Sequence, residues 1–534
     1  MTSETTDTIK QVHRHLRLGK FTQAESDLIQ LLRSHPDLLQ GWYLLADVSL
    51  KLKNNVQALD SAKNALRLAP EQPQVIILFS RCMLLNGQFR EASNYALKLF
   101  HTRPNLLAKD WFQLGLCLYQ VNQYGKALSC FQQAVQLEPN NGLYQYNLAT
   151  SYRNCGDKKQ AAKHLELALS LEPNNYDAKL TRSLLFKARD NKQHLADLES
   201  AVEQPNLPIS GKIKLHFALA KEYEDLNHPG HNFHHLTLGN RLRAQHSRYQ
   251  VKQDVDSLQQ IVKTFSSSNS SWQQTLEKHL PVKSNITPIF ITGLPRTGST
   301  LLEQILMQHQ KVSSAGELHN FGNCLSKAVS TLGYTPKNKN DFIRRCAELD
   351  MNEVGQDYIS ELTPFTSDYK MVIDKLPMNF LYTGLIQQVI PQAKIIHITR
   401  CPMATAYAIY KTYFEQAYPY AYRLKDIAHY YVAYRKLMKH WLKQNRHHLL
   451  LVNYEDLVTN PETTLQSVFD FLGLAFNPEF MKLNKTKTVS ATASSAQVRD
   501  GIYTSSVQNW RHYEEQLTEF KDVLLAADID PYAW

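Results

Sequence analysis

At 534 residues the chain is longer than one ordinary domain, so two or three are expected, and 43% apolar residues supply enough core to exclude a disordered polymer. The net charge of +10 contains no run of five Lys or Arg, so charge alone gives no ground for nucleic-acid or membrane-surface binding. Seven cysteines (82, 117, 130, 155, 324, 346 and 401) form no C-x-x-C pair, which argues against metal-finger spacing and for free thiols in a reducing compartment. The opening MTSETTDTIKQ is polar and acidic, unlike a signal peptide, and no run of 18 apolar residues occurs. A cytoplasmic chain with no membrane span is the expectation.

From residue 3 onward the sequence repeats. Prolines stand at 36, 70, 104, 139 and 173, in steps of 34, 34, 35 and 34 residues. Ala24, Ala58, Ala92, Ala127 and Ala161 keep the same comb, as do Gly19, Lys53, Gly87, Asn122 and Gly156. ALRLAPEQP, AVQLEPNNG and ALSLEPNNY are near copies. Physically, Ala lets two helices approach, the turn position needs a left-handed φ, and Pro stops the second helix. The pattern resembles the tetratricopeptide repeat. The resemblance implies an all-α superhelix with at least five repeats over residues 3–174 and degenerate helical pairs to about 245. The first domain is therefore set at 1–245. Its concave face would take a protein or peptide partner, or serve as a scaffold or dimerisation surface. Residues 246–285 read as a helical connector, with DVDSLQQIVKTF helical and residues 266–271 a loop.

Residues 286–534 alternate strand and helix. PIFIT, KVSSA, YKMVIDK (369–375), AKIIHIT (393–399) and HHLLLVNY (447–454) read as strands, with helical patterns such as STLLEQILMQ, PMNFLYTGLIQQVI and DIAHYYVAYRKLMKHWLKQ between them. This predicts an α/β domain with a central parallel sheet, whose ligands bind beyond the carboxyl ends of the strands. The glycine loop, Glu317, Lys375, Arg400 and Tyr454 all fall at such ends. The aromatic run YAIYKTYFEQAYPYAYR (407–423) reads either as a lid over the site or as a surface buried against the helical domain.

The loop GLPRTGST (293–300) is almost a P-loop. Gly293 and Gly298 have P-loop spacing, and Ser299-Thr300 follow, but the Lys required after the second glycine is absent. A loop entering a helix N-terminus offers backbone N–H groups and a positive dipole end, so an anion is the ligand. Arg296 is the loop's only cation, and Thr297, Ser299 and Thr300 add hydroxyls. Three readings stand. One is a metal-dependent kinase or triphosphatase with an aberrant loop, using Asp374 as its Mg²⁺ acid. Another is a loop for a less charged anion, a 5′-phosphate joined to a sulfonate, needing no metal. The third is a non-catalytic repeat scaffold.

Five signatures, in order, resemble sulfotransferases that use 3′-phosphoadenosine 5′-phosphosulfate. GLPRTGST resembles their 5′-phosphosulfate loop and IIHITRCPMATAYAI their 3′-phosphate segment; DKLPMNF, LVNYEDLVTNP and SSAQVRDGIYTSSVQNWRHY resemble later segments. The whole chain resembles bacterial proteins that couple tetratricopeptide repeats to a sulfotransferase domain, and its catalytic half resembles the tyrosylprotein sulfotransferases. The resemblance implies a P-loop-like sulfotransferase fold, this donor, adenosine 3′,5′-bisphosphate as product, no metal and an acceptor hydroxyl. It implies Glu317, 21 residues after Arg296, as the base, with His319 the runner-up. Arg296 and Lys375 would stabilise the bridging oxygen, with Ser494 a second stabiliser. Donor binding would fall to Gly293, Pro295, Arg296, Thr297, Gly298, Ser299 and Thr300 at the 5′ end and to Arg400 at the 3′-phosphate. Tyr454, Ser495, Gln497, Val498, Arg499 and Tyr503 would line the adenosine and its 3′-phosphate. One departure is visible: the relatives carry Ser eight residues after the Arg, where this chain has Ala408. Thr405 and Thr412 share a helical face with Ala408, so one of them, or a water, is expected to replace the lost hydroxyl. Protein tyrosine, glycan and lipid hydroxyls all remain open as acceptors.

Overall fold

Five helix pairs follow the 34-residue comb: Ser3–Arg17 with Phe21–Ser34, Leu39–Lys51 with Asn55–Leu68, Pro73–Leu85 with Phe89–His101, Ala108–Gln120 with Tyr124–Leu137, and Gly142–Cys155 with Lys158–Leu171. The computed structural model describes residues 3–102, 105–188, 192–270, 272–274, 282–366, 370–444, 448–483, 501–502 and 504–534. Between the helices of each pair the chain turns through one left-handed residue: Gly19, Lys53, Gly87, Asn122 and Gly156, with φ of 68°, 61°, 75°, 60° and 91°. Lys53 occupies that region at a steric cost that a glycine would not bear. The five comb alanines are at most 1% exposed, because the touching helices leave room for a methyl and little more. Asn54, Asn141, Asp157 and Asn175 each cap a helix by accepting a backbone N–H three residues on.

The chain divides into two compact units at Glu172/Pro173, earlier than the boundary near 245 expected from the fading repeat. The helices Tyr176–Leu185, Lys192–Val202, Ile209–Asp225 and Pro229–Gln245 belong to the second unit. Their apolar faces explain why. Leu180, Leu198, Ile213, Phe217 and Leu236 share one core with Phe290, Val372 and Ile395 of the sheet. The aromatic run joins that core rather than forming a lid. Tyr410 stacks on Phe233 and Tyr413 packs on Phe217, while the Tyr407 hydroxyl donates to Glu224 at 3.1 Å.

All five expected strands are present and parallel: β1 Thr287–Gly293, β2 Val312–Ser314, β3 Met371–Asp374, β4 Lys394–Thr399 and β5 Leu449–Asn453, in the order β2-β3-β1-β4-β5. Alternate residues serve opposite faces, as the pleat requires. Ile289 and Ile291 pack with Leu302, Ile305 and Val468 on one side, and Phe290 with Tyr358 on the other. Gly293 pairs with Ile398, so β1 and β4 end level. From β1 the chain turns toward β2 on one flank, and from β4 toward β5 on the other. A crevice therefore opens beyond the ends of β1 and β4, at the reversal of strand order. Among the described residues no helix is long and apolar enough to cross a membrane.

Candidate functional site

The loop after β1 is shaped by its glycines. Gly293 has φ +152°, and a Cβ there would lie 2.6 Å from the Ile398 carbonyl oxygen of the neighbouring strand. Gly298 has φ +103°, and a Cβ would lie 2.4 Å from the Tyr454 ring. Between them Arg296 is left-handed at φ 69°, a strained conformation for a branched-out side chain that the surroundings must hold. Arg400 holds it. Leaving the end of β4, its Nη1 donates to the Arg296 carbonyl at 2.8 Å and its Nη2 to the Ser506 carbonyl at 2.6 Å. The guanidinium also lies over the Tyr454 ring, 4.6 Å from its centroid, and Tyr454 Oη bonds Ser506 Oγ at 2.7 Å. Arg400 thus braces the anion loop from behind, and its Nε is buried with no hydrogen-bond partner among the described residues.

Thr297 is buried and donates to the Leu294 carbonyl, tightening the loop. Pro295, Ser299 and Thr300 are also buried, the last two opening the helix Ser299–Leu306. The two threonines expected to stand in for the hydroxyl lost at Ala408 bond to backbone carbonyls in this structure. Thr405 Oγ1 donates to the Arg400 carbonyl at 3.4 Å and Thr412 Oγ1 to the Ala408 carbonyl at 2.8 Å. Each hydroxyl has one proton, and a phosphate needs that proton. Ser494, Ser495, Gln497, Val498, Arg499 and Tyr503 lie outside the described residues.

A second cluster lies at the ends of β2 and β3. After β2 the chain follows the end of β3: Ala315 N–H donates to the Ile373 carbonyl, and Lys375 N–H to the Gly316 carbonyl, both at 2.9 Å. This places Glu317 against Lys375, with Nζ to Oε1 2.6 Å. Lys375 is 1% exposed, not a solvated strand end, whereas the Glu317 side chain is 42% exposed and open to an incoming molecule. Glu317 lies in the loop before the helix Asn320–Thr331, not in its first turn. His319 is exposed at that helix's N-cap and makes no side-chain capping bond.

Asp374, the acid that a Mg²⁺-dependent reading requires, faces the core instead. It is fully buried, accepts from Tyr358 Oη at 2.8 Å and Asn379 Nδ2 at 3.1 Å, and burial pushes its carboxyl up to about 7. The sequence reading missed Glu303, one turn into the helix after the loop. Its carboxylate is 5% exposed, accepts from Ser314 Oγ at 2.6 Å and lies 3.7 Å from Lys375 Nζ. The signal was available: an acid set among Leu301, Leu302, Ile305 and Leu306 must find a buried partner. Glu303 also ties the two clusters together, since its helix begins at the anion loop.

Residues 288–478 match the sulfotransferase family, and residues 9–73, 108–141 and 144–175 match tetratricopeptide repeats. The second unit contains a sulfotransferase-family domain. An Aquifex aeolicus protein of unassigned function is 31% identical over 345 residues, 64% of this chain and 44% of its own length, so the chain spans less than half of that relative. A Caenorhabditis briggsae protein, provisionally named a protein-tyrosine sulfotransferase, is 25% identical over 42% of this chain and 80% of its own length. Among solved structures, the sulfotransferase domain from the curacin biosynthetic pathway superposes with a TM-score of 0.32 at 18% identity, covering 47% of this chain and 99% of that one. In this sulfotransferase domain the family match spans both clusters: the anion loop braced by Arg400 and the Glu317–Lys375 pair.

Proposed function

We propose that the domain transfers a sulfuryl group from 3′-phosphoadenosine 5′-phosphosulfate to an acceptor hydroxyl. The observation that carries this reading is the half-exposed Glu317 paired with the buried Lys375, joined through Glu303 to the helix that starts at the anion loop. A base that faces solvent and a cation that does not are what an in-line transfer between an arriving acceptor and an enclosed donor requires.

The residues fit such a donor. Gly293, Arg296 and Gly298 shape a backbone concavity at a helix N-terminus, suited to one phosphosulfate rather than a triphosphate. Arg400, whose buried Nε has no partner among the described residues, is the group for the 3′-phosphate. The donor supplies an activated sulfonate whose leaving group is a stable phosphate. Glu317 takes the hydroxyl proton as the acceptor oxygen bonds to sulfur and the sulfur's bond to the bridging oxygen breaks. Lys375 and Arg296 stabilise the negative charge left on that oxygen. Ser494 is proposed as a further stabiliser. Ser495, Gln497, Val498, Arg499 and Tyr503 are proposed around the adenosine, with Tyr454 as the wall between loop and Arg400. The acceptor class we favour is a protein hydroxyl, tyrosine first. The name of the Caenorhabditis briggsae relative supports it, as do the repeats, which we assign to holding a protein or peptide partner.

Thermal shift with two ligands tests the reading. Adenosine 3′,5′-bisphosphate without metal is expected to raise the unfolding midpoint, and Mg-ATP to leave it unchanged. A rise with Mg-ATP alone would overturn it. Mass spectrometry of cellular proteins that gain one sulfuryl group in the presence of the active chain then identifies the acceptor.

A further inference from the structure

Lys375 is a buried ammonium between two carboxylates, and the proposed reaction uses only one of them. Glu317 Oε1 is 2.6 Å away on the solvent side; Glu303 Oε2 is 3.7 Å away on the buried side. Glu303 is fixed. Ser314 Oγ donates to its Oε1 at 2.6 Å, and the Gly316 N–H donates to Ser314 Oγ at 3.0 Å. Its Oε2 has no hydrogen bond among the described residues and no water-facing surface, so the ammonium 3.7 Å away is the group that compensates it.

The Glu317–Lys375 contact is unproductive for transfer. A carboxylate held by an ammonium is a poor base, and an ammonium held by a carboxylate is not free to meet the departing oxygen. The two must separate when donor and acceptor enter. At that moment Lys375, enclosed and without Glu317, needs another negative charge to compensate its own and keep it in place. We propose that Glu303 is a positioning residue for sulfuryl transfer: the buried second counter-ion that retains Lys375 when Glu317 turns to the acceptor. This rests on the sulfotransferase reading for its purpose, but the counter-ion role itself does not. Among the described residues the ionisable groups in reach are few. Glu317 and Glu303 act on Lys375, Lys375 and Glu317 on Glu303, and the Tyr418 phenol is raised by burial first and by the Glu317 charge second. Burial raises the Glu303 carboxyl, while Lys375 and the Ser314 hydroxyl favour its ionised form.

Two measurements test it. The first needs no activity: a double-mutant cycle on thermal unfolding of the full chain. Glu303→Gln and Glu317→Gln singly each leave Lys375 one carboxylate, so each lowers the midpoint slightly. Together they strand a buried charge, so the double variant falls by well over the sum of the two, and adding Lys375→Met restores most of the loss. Additive losses, or no rescue by Lys375→Met, would overturn the counter-ion role. The second is the pH profile of transfer. Glu303→Gln removes a negative charge from beside the reacting groups, so both limbs of the bell move to lower pH. The peak kcat falls at least tenfold, affinity for adenosine 3′,5′-bisphosphate is retained, and Glu303→Asp recovers part of the shift. A profile that drops without moving would reduce Glu303 to packing. If the parental chain transfers nothing from the donor, the functional reading fails instead, and the unfolding cycle still decides the counter-ion.

Discussion

The repeat array and the sulfotransferase domain put similar residues to opposite uses. In the array every role recurs: five alanines at the helix contact, five left-handed turns. No position is unique, and a departure such as Lys53 is tolerated because its neighbours keep the geometry. In the α/β domain no role recurs. Arg296, Glu317, Lys375, Arg400 and Tyr454 come from the ends of different strands, and each makes contacts that no other position repeats. Redundancy spreads the cost of a substitution over many weak contacts; convergence concentrates it in a few. Substitutions of comparable size should therefore cost function in one region and modest stability in the other.

Glu317→Gln is the change with the largest expected effect. It keeps shape and removes the base, so kcat should fall by about 10²–10⁴ while adenosine 3′,5′-bisphosphate still binds. Single-turnover transfer measures it, and a parental rate would place the base elsewhere, His319 first. Arg400→Ala comes next. Losing a charged hydrogen bond worth about 1.5–3 kcal/mol should weaken adenosine 3′,5′-bisphosphate roughly 10- to 100-fold by calorimetry. Adenosine 5′-phosphosulfate should lose much less. Equal losses would make Arg400 a loop brace alone, the role its bond to the Arg296 carbonyl already gives it.

In the array, Ala127→Leu forces a larger side chain into a fully buried contact and should cost about 1–3 kcal/mol by urea unfolding. A neutral result would show that the repeats yield by sliding. The smallest effect is expected at Lys53. Replacing it with Gly relieves the left-handed strain against glycine's greater entropy loss, for a net gain of about 0.5 kcal/mol in the same assay. A loss would show that the lysine side chain contributes more than the turn costs it.

The same division governs what could be read from the chain. The comb of Pro, Ala and Gly positions predicted the five helix pairs and named the residue at each left-handed turn, because a repeat states the same constraint five times. The strands were legible as short apolar runs between helical patterns. The end of the array was not: Leu180, Phe217 and Leu236 keep helical periodicity whether they pack on another repeat or on a sheet. Nor were the internal bonds of the site. Thr405 and Thr412 share a helical face with Ala408, but spacing does not say that both hydroxyl protons go to backbone carbonyls.

Sequence by itself determined the period, the strand order along the chain and the residue types at the strand ends, since these follow from local propensity and apolar patterning. Tertiary structure alone decided which of those ends meet. The order β2-β3-β1-β4-β5 brings Arg400 behind the anion loop, buries Asp374 away from it, and sets Glu303 opposite Glu317 across one lysine. The physical reason is that a charge in a low-dielectric interior is governed by neighbours within a few ångströms, and those neighbours here are 58 to 104 residues away along the chain.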